Sequence, residues 1–335
     1  MYKLKLPINY KQRMDIRETE RALKFVKDTF QRNFIREFGL ERVSAPLFVK
    51  CRTGVNDDLN GVERAVHFDI KEQEIEAEII HSLAKWKRLA LKDYGFGEGE
   101  GLYTDMNAIR RDDSCDNVHS IYVDQWDWEL VISKEQRNIE FLKSVVVRIV
   151  STIVDALEET KFAFPKLTLK LSKKVYFITT QELYDLYPNL TSKERENEIT
   201  KKYGTVFIMQ IGGLLSNGEK HDGRAPDYDD WNLNGDILFW NDILQESIEI
   251  SSMGIRVDAD SLKHQLEVSE CEERRAYPYH RRILSGELPL TIGGGIGQSR
   301  LCMFLLQKAH IGEIQVSIWP EEMVKKCANK GINLL

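Results

Sequence analysis

The chain has 335 residues, 42% of them hydrophobic, which is ample for a sizeable core. Its formal charge of −6 and pI of about 5.8 argue against nonspecific nucleic-acid binding, while leaving room for a local basic cleft. Five cysteines without a C-x-x-C pair or zinc-site spacing read as reduced thiols, and no run of about 18 apolar residues or N-terminal leader is present, so a cytoplasmic protein with no membrane span is expected.

Taken in order, Glu18 to Phe38 carries apolar residues at helical spacing and ends at Gly39, which predicts an amphipathic helix. Val43–Val49 reads as a strand, with Pro46 marking an edge or bulge. Cys51–Gly61 is a polar loop whose adjacent Asp57 and Asp58 are either solvated or hold a cation such as an ammonium group. Val66–Ile70 and Glu78–His81 read as strands. His81 to Arg88 then opens a helix for which Ser82 is a cap. Its Lys85, Lys87 and Arg88 form a solvated face by default. Lys87 does not share the face of the other two and can turn inward toward a carboxylate.

Leu102–Arg111 and His119–Glu129 read as strands joined by the loop Arg111 to Asn117. The second contains Tyr122-Val-Asp-Gln-Trp-Asp-Trp-Glu129. Strand periodicity puts Gln125, Asp127 and Glu129 on one face, with tryptophans behind them. That pattern suits a polar binding floor better than a surface face, which favours Thr, Lys or Arg.

Glu135–Leu157 has the spacing of a long core-facing helix. Tyr176–Ile178 and Val206–Ile211 read as strands. Between them Thr179-x-x-Glu182 and Thr191-x-x-Glu194 are capping boxes for two short helices. Gly212–Asn234 is a long loop holding Arg224-Ala-Pro-Asp-Tyr-Asp-Asp-Trp231, and loops of this length are often functional. Asp236–Trp240 and Ser247–Val257 pair as a hairpin. Leu262–Val268 and Glu272–Leu284 are helices, the latter interrupted by Pro278, and Ile314–Ile318 is a last strand.

Gly293-Gly-Gly-Ile-Gly-Gln-Ser-Arg300 lies where a strand passes into a helix. Glycines admit close approach of a flat ligand, and the helix start offers N–H groups to an anion. A plain glycine turn is the simpler reading. A dinucleotide loop fits badly, because the spacing is not G-x-G-x-x-G. Mostly consecutive strands with helices beside them predict an α+β fold: an antiparallel β-sheet flanked by helices, in one domain over 1–335.

These stretches resemble a known group. Gly293–Arg300 resembles the third motif of class II aminoacyl-tRNA synthetases, Arg110 with its strand–loop–strand the second, and the first helix and strand the first. The runs His81–Arg88, Tyr122–Glu129, Arg224–Trp231, Ser251–Asp260 and Gly293–Leu301 resemble aspartate–ammonia ligases, asparagine synthetases of the A type, over about residues 10 to 320. The resemblance implies a class II synthetase-like catalytic core. It implies conversion of L-aspartate, ammonia and ATP to L-asparagine, AMP and pyrophosphate through a β-aspartyl adenylate. It places Arg110 and Arg300 on phosphates, with Gly294 and Gly295 at the ATP site. It places Asp236 and Glu249 on Mg²⁺, and Lys87, Gln125, Asp127, Ser252 and Arg256 on aspartate. Asp57, Asp127 and Asp229 are candidates for the α-ammonium or for handling ammonia, and a homodimer built on the first motif is implied.

Two departures stand out: Val123 replaces the usual aromatic under adenine, and Gln298-Ser299 replaces the acid before the motif 3 arginine. The first 48 residues already read as core, so no anticodon-binding barrel is expected there. The rival readings are a truncated aspartyl- or asparaginyl-tRNA synthetase acting on RNA, and a non-catalytic paralogue.

Overall fold

The computed structural model describes residues 3–56 and 63–335. Helix α1 (Ile16–Phe38) starts where the Asp15 carboxylate accepts from Glu18 N, and it stops at Gly39, whose φ of 65° ends the helix. Its buried stripe is Ala22, Val26, Phe30, Phe34 and Phe38.

The strand expected at Val43–Val49 is instead two short ones, β1 (Leu40–Arg42) and β2 (Phe48–Lys50), in different sheets. Pro46 lies in the break, where its missing N–H disturbs no ladder. Next come β3 (His67–Ile70), β4 (Ile75–Ile79), α2 (Ala84–Asp93), β5 (Gly101–Ile109) and β6 (Tyr122–Val131). Ser82 does not cap α2 as its N-cap residue, which is Leu83. Its hydroxyl accepts from Ala84 N at 3.1 Å. The expected solvated face of α2 is absent: Lys85, Lys87 and Arg88 are all buried.

Helix α3 (Ile139–Ala163) begins at the Asn138 cap, later than the apolar spacing suggests. Then follow β7 (Tyr176–Thr179), α4 (Thr180–Leu186), α5 (Ser192–Tyr203) and β8 (Thr205–Met209), with both capping boxes formed. Strand β9 (Asp229–Asn241) starts inside the expected loop, because β10 (Glu246–Arg256) carries its ladder on to an Arg256–Asp229 pairing. The remaining elements are α6 (Ala259–Val268), α7 (Pro278–Leu284), β11 (Thr291–Gly297), α8 (Gln298–Leu305) and α9 (Glu321–Ala328). Glu272–Leu284 divides at Pro278, the first residue of α7, into a 3₁₀ turn and that helix. Ile314–Ile318 joins no sheet. It follows a 3₁₀ turn with Val316 and Ile318 exposed.

The eight-stranded sheet runs β1-β5-β6-β11-β10-β9-β8-β7. It is antiparallel except for the parallel pairs β1/β5 and β7/β8 at its edges. A second sheet, β2-β4-β3, was not separated in the sequence reading. Alternation along β6 divides its side chains between two environments. Trp126 packs on Phe30 at 4.7 Å between ring centroids, and Trp128 on Phe38 at 5.7 Å, so this face is sealed by α1. Gln125, Asp127 and Glu129 point the other way. No described helix is long and apolar enough to cross a membrane.

Candidate active site

The three central strands β6, β11 and β10 form the floor of a cavity of about 670 Å³. Lys87, Arg110, Gln125, Asp127, Asp229, Glu249, Ser252, Arg256, Gly294, Gly295 and Arg300 all line it, although they come from elements far apart in the chain. Asp236 is buried against the cavity-lining Arg224. Asp57 lies outside the described residues.

Packing within the sheet gives two of the β11 glycines a physical reason of their own. Gly293 and Gly295 stand opposite Glu129 and Asp127 in register. A Cβ at Gly293 would run into the Glu129 carboxylate, and one at Gly295 into the Gln125 amide oxygen. Gly293 and Gly295 therefore clear space for the polar side chains of β6, a Cβ at Gly294 would instead meet Met253 of β10, and none of the three adopts a positive φ.

At one end of the cavity lies a buried charge network. Arg256 donates from Nε to Glu129 Oε1 at 2.9 Å and from Nη2 to Glu129 Oε2 at 2.7 Å, while Nη1 pairs with Asp229. Burial opposes the charge on Glu129, yet Arg256 and Lys87 hold its carboxyl below the usual range. Burial pushes the Asp229 carboxyl up, even against Arg256. Lys87 Nζ donates to Trp128 O and Gly294 O, both at 3.0 Å, and pairs with Asp127. Its three donors are thus engaged within the protein. Asp127 Oδ2 is buried with no hydrogen-bond partner among the described residues, so it is the acceptor left for a ligand.

At the other end stand two arginines. Arg110 Nη2 donates to His81 O at 3.3 Å, and its Nε is buried without a partner among the described residues. Arg300, in the first turn of α8, donates to Glu249 O at 3.0 Å. One N–H at the start of α8 is already taken: Asp124 accepts from Ser299 N and Oγ, both at 2.9 Å, and pairs with Lys27 of α1 at 3.2 Å. Gln298-Ser299 thus meets a carboxylate supplied by β6, and Gln298 Nε2 donates to Asp105 at 3.0 Å.

On the side of Arg300, Asp222, Asp236 and Glu249 gather around Arg224, which pairs with Asp236. Burial, with Glu249 and Asp222 adding negative charge, pushes the Asp236 carboxyl up to about 8 despite Arg224. Asp222 and Arg224 were not assigned to the site from sequence, and Glu129 was read as part of the polar floor without a role of its own. The alternation that singled out Gln125 and Asp127 also reaches Glu129. Arg224 lies in the run that resembles the ligases, and Asp222 in the long loop just before it.

The family model for aspartate–ammonia ligase matches residues 17–331. The chain belongs to the aspartate–ammonia ligase family. The family member of Clostridium tetani (strain Massachusetts / E88) is 58% identical over 334 residues, covering 99% of this chain and 98% of the relative. That of Limosilactobacillus reuteri (strain DSM 20016) is 56% identical over 334 residues, covering 99% of each. The protein is therefore a ligase. Among solved structures, the Pyrococcus horikoshii asparaginyl-tRNA synthetase complexed with asparaginyl-adenylate superposes with a TM-score of 0.65 at 15% identity, over 90% of this chain and 70% of that one. The Entamoeba histolytica asparaginyl-tRNA synthetase gives 0.64 at 15% identity, over 90% and 67%. These likenesses establish that the ligase family member has the class II synthetase catalytic fold.

Proposed function

We propose that this ligase joins L-aspartate and ammonia using ATP, giving L-asparagine, AMP and pyrophosphate through a β-aspartyl adenylate. The observation that carries this reading is one cavity lined by Arg110 and Arg300 and also by Arg256, Asp127 and Asp229, with Arg110 beyond the Ile109–Tyr122 pairing of β5 and β6 and Arg256 on Glu129 farther along β6. In the first step a β-carboxylate oxygen attacks the α-phosphorus and pyrophosphate leaves. In the second the ammonia lone pair attacks the acyl carbon, AMP leaves with the bridging oxygen, and a proton is released. Both partners of the first step are anionic. Arg110 and Arg300 supply fixed positive charge where it is needed, Arg110 at the α-phosphate and Arg300 farther along the triphosphate. Gly294 and Gly295 lie on the floor beneath the nucleotide.

The residues present fit a magnesium ion. Asp236 and Glu249 are hard oxygen donors, and Mg²⁺ is commonly held by one or two carboxylates plus substrate phosphates. Burial first, and the neighbouring Glu249 and Asp222 next, push the Asp236 carboxyl up, and a divalent cation beside it would act against that push. The ion would supply charge neutralisation at the phosphates.

Aspartyl-type relatives that activate the α-carboxylate clamp the β-carboxylate. Here the same clamp would hold the α-carboxylate, presenting the β-carboxylate to Arg110. Arg256 is the direct contact in this arrangement. Lys87 contributes charge from below Asp127, because its donors are already engaged. Gln125 and Ser252 border the same end. The α-ammonium and the incoming ammonia are shared among Asp57, Asp127 and Asp229, and the unpartnered Asp127 Oδ2 favours Asp127 for the ammonium.

The reading extends to a cytoplasmic homodimer that uses no nucleic acid. Support for a second copy comes from Leu47, Phe48 and Phe68, which are exposed beside the first-motif elements, with the two phenylalanine rings packed edge-on at 5.1 Å. The assay that tests the reaction is AMP release from ATP and aspartate, with and without ammonia and with and without tRNA. Asparagine-coupled AMP release that needs ammonia and ignores tRNA is expected. Release that requires tRNA would favour the truncated-synthetase reading.

A further inference from the structure

The three-stranded sheet carries a group of side chains that the proposed reaction does not use. Strand β4 lies between β2 and β3, and both Val49 and His67 stand opposite Glu78. Cys51 directly follows β2, and its N–H donates to Glu76 O at 3.2 Å, which continues the ladder by one residue. Strand side chains alternate between faces, so Cys51, His67 and Glu78 share one face across the three strands.

The side chains complete what the register begins. Cys51 Sγ lies 3.4 Å from His67 Nδ1, the ring nitrogen that would share an ion with the thiolate, while Glu78 Oε2 lies 4.0 Å from the other ring nitrogen, Nε2. One donor atom from each of the three residues falls within 4.8 Å of the others. Tetrahedral zinc, with Zn–S about 2.3 Å and Zn–N about 2.0–2.1 Å, sets its sulfur and nitrogen ligands roughly 3.6 Å apart. The sulfur–nitrogen spacing is already within a few tenths of an ångström of that value.

We propose that Cys51, His67 and Glu78 form a binding site for a borderline-soft divalent cation of the zinc class. Thiolate and imidazole select such an ion, whereas the oxygen-only acids of the cavity suit magnesium, so the two sites take different metals. Three protein ligands leave a fourth position for water. The site has a structural consequence. Cys51 heads the segment in which the Asn56 side chain accepts from His81 N at 2.9 Å and donates to Ile79 O at 3.3 Å. A bound ion clips the head of that segment to β3 and β4.

The test is titration of the full-length protein with Co²⁺, read by its cobalt–thiolate absorption, followed by competition with Zn²⁺ and with Mg²⁺. The expected result is saturable binding of one Co²⁺ per chain at micromolar concentration, displaced by Zn²⁺ and insensitive to millimolar Mg²⁺. Cys51→Ser should remove the thiolate absorption, and His67→Ala should weaken binding by about a hundredfold. Both variants should stay folded and keep basal ligase activity, since neither residue lines the cavity. Absence of the band, binding only at millimolar Co²⁺, a band that survives Cys51→Ser, or unchanged affinity in His67→Ala would each overturn the site.

Discussion

Arg256 grips Glu129 with two nitrogens, Nε to Oε1 at 2.9 Å and Nη2 to Oε2 at 2.7 Å, and both side chains are buried. The bidentate fork is therefore used within the protein, and the Nη1 edge, shared with Asp229, is what remains for a substrate carboxylate. Replacing Arg256 by Ala would strand two buried acids, a loss of about 3–5 kcal/mol that threatens the fold itself. Arg256→Lys keeps the charge but not the fork. It is expected to stay folded, to lose aspartate affinity by about a hundredfold, and to bind ATP almost normally. Calorimetric titration of each ligand checks this, and unchanged aspartate affinity would remove Arg256 from the substrate.

Glu249 has a half-exposed side chain; its backbone carbonyl accepts from Arg300 at 3.0 Å, and its carboxylate adds only a longer, solvent-exposed ion pair to the same guanidinium at 3.7 Å. Glu249→Gln should therefore preserve thermal stability while lowering AMP formation by roughly a hundredfold or more, if the carboxylate helps hold the magnesium ion. A Glu249→Gln protein with normal turnover at limiting Mg²⁺ would exclude it from that role.

Gly293 faces the Glu129 carboxylate so closely that a methyl group has no room, and Trp128 O would lie 2.6 Å from the added carbon. Gly293→Ala is expected to destabilise the protein by about 1–3 kcal/mol through overpacking. It should also weaken aspartate binding by displacing Arg256. Urea denaturation and aspartate titration read the two effects separately, and a variant matching the parent in both would contradict the packing argument.

The polar floor was legible because β6 obeys a simple rule. Gln125, Asp127 and Glu129 alternate with Trp126 and Trp128, and one face must be buried against α1 while the other is not. The helix bounds were legible where a cap or glycine stop is local, as at Thr179, Thr191 and Gly39. What failed depends on distant partners. Lys85 looked solvated, but it is neutralised by Asp227, 142 residues away, which also takes His280 at 2.9 Å. At the start of α8, Asp124 takes the Ser299 N–H from 175 residues away. Nothing local in Ile314–Ile318 reveals that no strand is available to pair with it. Cys51, His67 and Glu78 are too widely spaced to read as a metal motif, and only the register of the small sheet joins them.

Acid sensitivity has an identifiable contributor just outside the lining of the cavity. His310 is buried, its Nδ1 accepts from Gly312 N at 2.9 Å, and burial lowers its pKa from 6.5 to about 4. The depressed value means that the unfolded chain takes up a proton first as pH falls. His310 thus costs no stability above pH 6.5, and stability is lost progressively between about 6.5 and 4. The loss totals about 3 kcal/mol. His310→Gln should flatten that part of the stability–pH curve relative to the parent. Parallel curves from urea denaturation at pH 7 and 4.5 would contradict this.

The most direct measurement uses L-aspartate labelled with oxygen-18 in its β-carboxylate, turned over with ATP, Mg²⁺ and ammonia, and follows the label by mass spectrometry. Attack of that carboxylate on the α-phosphorus, then displacement by ammonia, must leave one labelled oxygen on AMP and the other on the asparagine amide. Label in AMP, with none in pyrophosphate, is the predicted result. Label in inorganic phosphate with ADP as the product, or AMP that carries none, would contradict the β-aspartyl adenylate.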